Sequence, residues 1–442
     1  TPMKHLPSII SKPVFCILLF QFFCLTSVYA GSGNYLVRCN QKLVDVIMED
    51  LFTPAVASRV KVYPNVAAYE ILSKKDARLA SLHNQLNQLP VISGPDGKVD
   101  YSLAALFAFT TVSKKLVYSE YMFTEFENKE LRIWKKSHKG DTVLQKNSLA
   151  YGRKVASEII QWMKGDNYDY TRTLSRYVIA DSAGAWVPTG PGYANALEPN
   201  WPLMRSFVFD STSIVKAIPN IPYSEDKNSV YYKNAKALYD QSVSLDTAKR
   251  LTAWYWDDNP NILKSDGHVN YFIHKVSPCG HWVRIASQAI KNKGLDEYKT
   301  AEVYTYLTLA IYEAFLSCWI EKYKSNALRP ETYINRLMSP QWKSYIETPP
   351  FPEYTSGHSV TSSACATVLT ELIPQPYAFT DSSEMYINLP SRRFSSFREA
   401  ANQASISRFY GGIHYMPSLD NGVIQGKEIG FGILKRVKTR KK

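Results

Sequence analysis

The chain has 442 residues, 45% hydrophobic and 21% charged, so it can bury a sizeable core and is neither disordered nor low in complexity. Its formal charge of +13 suits an anionic ligand. No helix-turn-helix, zinc-finger spacing or interleaving of aromatic and basic residues accompanies that charge, which argues against a nucleic-acid partner, and the basic run Lys435 to Lys442 reads as a solvated tail.

The first segment reads as an export signal over residues 1–30. Lys4 and Lys12 precede the apolar run Val14 to Leu25, and Val28-Tyr29-Ala30 fits a small-x-small cleavage site, with Met3 as the start. The expected location is periplasmic or secreted, with membrane association only if the signal is retained. Cys39, Cys279, Cys318 and Cys365 remain beyond it. They lack paired spacing, so no zinc site is implied, and an exported location permits one or two disulfides.

Helical apolar spacing follows at Gln41 to Leu51, Val66 to Leu72, Tyr101 to Trp134 (one helix or two) and Ser148 to Lys164. From Ala180 to Pro222 the chain is punctuated by Gly and Pro and reads as an irregular surface connection. It separates an N-terminal helical region, 31–225, from a C-terminal catalytic region, 226–442. Helices resume at Ser229 to Ser242, Leu245 to Trp256, Cys279 to Lys291, Thr300 to Lys324, Gly357 to Leu372, Ser395 to Tyr410 and Gly422 to Arg436. No run alternates with period two, so the expected fold is all-α.

Three short stretches carry chemistry. In Lys322 to Pro330, Trp319 and Lys322 share a helix face, and Pro330 forces Arg329 out of helical geometry. In Pro349 to Ser359, Ser356 and Gly357 open a helix whose free amides and dipole favour an anion, and His358 sits in its first turn. In Ser407 to His414, Arg408 lies in the last turn of a helix ended by Gly411-Gly412, with His414 just beyond. Three cations, two imidazoles, a hydroxyl and an amide are the donors needed to hold an oxyanion and move protons beside it.

Taken in this order, Lys322, Arg329, Pro330, then Ser356, Gly357, His358, then Ser407, Arg408, Gly412, His414, the stretches resemble the superfamily of vanadium-dependent haloperoxidases and type-2 phosphatidic acid phosphatases, and its bacterial haloperoxidase-like branch in particular. The resemblance covers about the last 120 residues. It implies the helical bundle of that family and vanadate as cofactor. His414 would bond vanadium, while Lys322, Arg329, Ser356, Gly357 and Arg408 would neutralise the vanadate oxygens. His358 would be the acid–base and Lys322 would polarise hydrogen peroxide. The family often places an acidic residue four positions after the last histidine to orient it; here that position is Ser418, leaving Asp420 or a backbone carbonyl for the role.

Pentacoordinate vanadate resembles the transition state of phosphoryl transfer, so the same residues could serve an exported acid phosphatase with His414 as nucleophile. Three features favour the peroxidase. The stretch Pro349 to His358 resembles the peroxidase form of the motif. Trp319 and Phe351 match aromatic positions that flank the halide site. Asp257, in Trp254 to Pro260, matches a carboxylate partner of the acid–base histidine. His281 is expected to line the pocket entrance. The implied substrates are hydrogen peroxide, iodide or bromide rather than chloride, and a small organic acceptor.

Overall fold

The computed structural model describes residues 34–260, 263–266, 268–272 and 274–441; the segment read as an export signal lies outside them. Fourteen α-helices are described. In the N-terminal half these are α1 (Asn34–Glu49), α2 (Pro54–Lys75), α3 (Tyr101–Lys114), α4 (Glu120–Ser137), α5 (Thr142–Met163) and α6 (Tyr168–Thr173). After the irregular connection come α7 (Val230–Val243), α8 (Thr247–Tyr255), α9 (Pro278–Asn292), α10 (Glu297–Ser325), α11 (Pro330–Leu337), α12 (Gly357–Leu372), α13 (Phe397–Tyr410) and α14 (Met416–Arg436).

The all-α expectation holds, with two short additions. β1 (Leu263–Asp266) pairs antiparallel with β2 (Val269–Phe272), and β3 (Phe379–Asp381) with β4 (Arg392–Phe394). Each strand is only three or four residues long, too short to show a period-two pattern.

Local sequence explains most helix boundaries. Pro54 starts α2: Thr53 caps the helix, and proline in the first turn gives up only an N–H that has no helical partner. The stretch 101–134 divides into α3 and α4, whose caps are Asp100 and Ser119. Pro417, in the first turn, extends α14 back to Met416, upstream of the Gly422 start expected from the sequence.

Helix α10 is the axis of the molecule. It spans 29 residues, and an apolar window of it is 94% buried, so its hydropathy is that of a core helix. One hydrophobic cluster draws on both halves of the chain, with Val60 and Ala67 from α2, Leu307 and Ala314 from α10 and Val360 from α12. The four cysteines among the described residues are buried free thiols, and no disulfide forms among them.

Helix α14 presses α12 into place through Gly422, Gly426 and Gly430, which lie four apart on one face. A methyl group at Gly426 would fall 2.2 Å from the Val360 carbonyl oxygen. Only glycine permits that approach, which fixes the N-terminus of α12 against the core.

Candidate active site

The three motifs converge at the N-terminus of α12. Ser356 is its cap, with its hydroxyl accepting the Ser359 amide at 3.4 Å, while its own N–H is held by the Ser418 carbonyl at 3.2 Å. Gly412 takes φ +80°, a left-handed conformation that suits glycine, and turns the chain so that His414 comes back under α12. Helix α10 ends at Ser325 with Asn326 as its cap, one residue past the expected Lys324; Arg329 then takes extended geometry before Pro330, as a pre-proline residue should.

Backbone carbonyls aim the cations. Lys322 Nζ donates to the Pro352 and Glu353 carbonyls at 2.8 and 3.0 Å. Arg329 donates to the Phe351 and Ile413 carbonyls at 2.8 and 3.0 Å and lies 3.3 Å from His414 Nε2. Arg408 donates to the Trp256 carbonyl, and its guanidinium is 3.9 Å from Asp257. All three cations are buried. Loss of hydration pushes Lys322 down to about 7 and Arg329 to about 10.

The two histidines are held neutral. Burial first, and then the charges of Arg329, Lys322 and Arg408, depress His414 well below the usual imidazole range. Burial, Arg408 and His281 do the same to His358. His414 Nδ1 is 2.8 Å from Glu353 Oε1, which also accepts the Tyr415 amide at 3.1 Å. The carboxylate therefore fixes the Nδ1–H tautomer and leaves the Nε2 lone pair facing the cations. Glu353 is the residue that orients His414. Asp420 is exposed, and Ser418 contributes its carbonyl elsewhere.

Asp257 is not the partner of His358. Its Oδ2 is bound by Lys275 Nζ at 2.8 Å and its other oxygen faces Arg408. The carboxylate beside His358 belongs to the next residue: Asp258 Oδ2 lies 3.8 Å from His358 Nε2. Asp258 reaches it from a backbone with φ +44°, a strained conformation for a residue other than glycine. His281 is also displaced from its expected place. It is fully buried, stacked on Trp256 at 4.3 Å, and does not line the cavity.

The cavity above these groups has a volume of about 290 Å³. Gly357, His358, Arg408 and His414 line its polar end, with Lys322, Arg329 and Ser356 wholly buried beneath them. Trp319 and Phe351 form one wall, their ring centroids 5.0 Å apart. Tyr193 and Leu197 of the irregular connection form the rim, so that segment is part of the site. The Leu197 carbonyl accepts the Trp319 indole N–H at 3.3 Å and so holds this wall in place.

Arg329 Nη2, Arg408 Nε and His358 Nε2 are buried without hydrogen-bond partners. Buried polar atoms rarely go unsatisfied, so two unpaired guanidinium N–H donors and an unpaired imidazole nitrogen at one cavity fit a polar, anionic occupant. A vanadate oxyanion matches this donor set: Arg329, Arg408, Lys322 and the α12 N-terminus would take its oxygens, and His414 Nε2 would be the protein ligand.

The family model described as the VCPO second helical-bundle domain matches residues 302–441. The solved structure of the first bacterial vanadium-dependent iodoperoxidase is 38% identical, with a TM-score of 0.86, the match covering 93% of this chain and 97% of that one. Holo and apo bacterial vanadium-dependent chloroperoxidases share the fold, with TM-scores of 0.63 and 0.64 at 14% and 16% identity. These two alignments cover 88% and 86% of this chain and 93% and 92% of theirs. No curated protein matches. With its oxyanion pocket and a relative of this identity over nearly its whole length, the chain belongs to the vanadium-dependent haloperoxidases, a family of oxidoreductases.

Proposed function

We propose that the protein uses vanadate to oxidise iodide or bromide with hydrogen peroxide, releasing hypohalous acid to a small organic acceptor. The observation that carries this reading is the set of unpartnered buried donors around the oriented, neutral His414, set beside the Trp319–Phe351 wall. Iodide is favoured by the iodoperoxidase relative. Bound vanadate would supply a Lewis acid that activates peroxide toward halide without changing oxidation state.

The chain's own residues do the rest. Glu353 keeps the His414 Nδ1–H in place, so its Nε2 is always available as a ligand. Lys322, Arg329 and Arg408 neutralise the anion in a site of low dielectric, where fixed charges act most strongly. His358 is neutral near pH 7, so its unpartnered Nε2 can take a proton from peroxide and return it later. The aromatic wall offers a polarisable, weakly hydrated surface on which halide replaces its water at little cost. Export by the N-terminal segment is part of the same reading.

A paired assay tests it. Protein loaded with orthovanadate and freed of excess should oxidise iodide with hydrogen peroxide, and His414→Ala should abolish this. Vanadate-free protein is offered a chromogenic phosphomonoester in parallel. Phosphate release without peroxidation would assign the site to phosphoryl transfer instead.

A further inference from the structure

Behind the catalytic pocket lies a second cluster, of which only Asp258 also meets the pocket. Asp258, His281, Asp381 and Glu384 are all buried, with no more than 4% of any of them exposed. Asp381 is satisfied. Its Oδ2 accepts the Tyr255 hydroxyl and His281 Nε2, both at 2.8 Å, and its Oδ1 accepts the Ser383 amide at 2.9 Å. Three donors to one carboxylate place a proton on His281 Nε2.

The opposite nitrogen faces two carboxylates. His281 Nδ1 is 3.0 and 3.2 Å from the Asp258 oxygens and 3.8 Å from Glu384 Oε1. Glu384 Oε1 is buried with no hydrogen-bond partner. A proton on Nδ1 can satisfy Asp258 but leaves that oxygen orphaned. We propose that Asp258, His281 and Glu384 bind a divalent transition cation, with Asp381 as the residue that orients the imidazole.

One atom from each of the three residues lies within 4.8 Å of the other two. Metal–ligand bonds of about 2.1 Å in a tetrahedral site put neighbouring ligand atoms about 3.4 Å apart, between the two separations from Nδ1 seen here. A carboxylate behind a ligating histidine is the usual outer support of such a site. One imidazole and two carboxylates suit zinc better than calcium or magnesium, which prefer oxygen alone. Of the three ligands only Asp258 reaches the catalytic cavity, so the cation would brace that carboxylate beside His358 and would not itself meet substrate.

The competing occupant is the proton. His281 Nδ1 lies 3.0 and 3.2 Å from the Asp258 carboxylate oxygens, the geometry of an N–H donor, so cation binding must expel that proton. This makes the test decisive. Tag-free, chelator-treated and vanadate-free full-length protein is titrated with Zn2+ by calorimetry in two buffers of different ionisation enthalpy. One Zn2+ per chain is expected, with proton release. Glu384→Gln, nearly identical in shape, should weaken binding at least about 10-fold, and Asp381→Asn by about 10- to 100-fold. Absence of stoichiometric binding would overturn the proposal, as would an affinity unchanged by Glu384→Gln, because surface histidines would then be the ligands. If either variant does not fold, X-ray absorption of the wild-type zinc complex decides. One imidazole with carboxylates supports the site, and several imidazoles exclude it.

Discussion

Glu353 Oε1 sits 2.8 Å from His414 Nδ1, and both groups are buried. Burial raises the Glu353 pKa to about 7 even though Arg329 and Lys322 pull it down, so this carboxylate is costly to keep and has a strong positional role. Glu353→Ala should lower vanadate affinity by about 10- to 100-fold, the usual cost of losing the group that orients a metal-ligating histidine. Glu353→Gln, whose carbonyl can still accept from Nδ1 and from the Tyr415 amide, should retain more. Vanadate titrations of iodide oxidation and of thermal protection give two independent readouts.

Asp257 and Asp258 are adjacent and should fail differently. Asp257 pairs with Lys275, and both are almost completely buried. Asp257→Ala leaves a buried ammonium unpaired, with an expected loss of about 3–5 kcal/mol of stability. The double variant Asp257→Ala/Lys275→Met should recover much of this. Denaturant midpoints measure both. An Asp257→Ala protein of unchanged stability would refute the assignment.

Glu313 offers a test of pH dependence remote from the catalytic pocket. Burial raises its pKa to about 7, although Ser206 and the amides of Val208 and Phe207 oppose the shift. A carboxyl that holds its proton more tightly when folded adds stability below its unfolded pKa and loses it as pH rises through the folded value. Wild-type stability should therefore fall between about pH 4.5 and pH 7 relative to Glu313→Gln, by on the order of 3 kcal/mol at most. Parallel curves for the two proteins would contradict the shift.

Trp319 and Phe351 face each other across 5.0 Å at one wall of the cavity. Trp319→Phe removes the indole bond to the Leu197 carbonyl, and Phe351→Leu removes a ring. Each should raise the iodide KM several-fold while leaving the peroxide KM nearly unchanged. A shift confined to the peroxide KM would place halide elsewhere.

Much of this protein is legible locally. The start of α12 at Gly357, the pre-proline geometry of Arg329 and the turn at Gly412 are consequences of steric rules that operate over a few residues. The identities of Lys322, Arg329, Ser356, His358, Arg408 and His414 follow from the same short motifs. Glu353 is the single acidic residue of the stretch Pro349 to Ser359, and that is the one local signal of its role. Nothing in the local pattern separates Asp257 from Asp258, because a left-handed backbone at Asp258 decides which carboxylate turns toward His358.

The sequence by itself determined the helical class, the positions of most helices and the residue types of an oxyanion pocket, because helix periodicity, capping and proline sterics act over single turns. Only the tertiary structure decided how those residues are used. Lys322, Arg329 and Arg408 are aimed by backbone carbonyls from distant segments, and the loop around Leu197 closes a wall. His281 leaves the entrance for a buried nest of carboxylates. Carbonyl groups are the same in every residue and carry no sequence signal, so their placement emerges only when helices from both halves of the chain pack on α10.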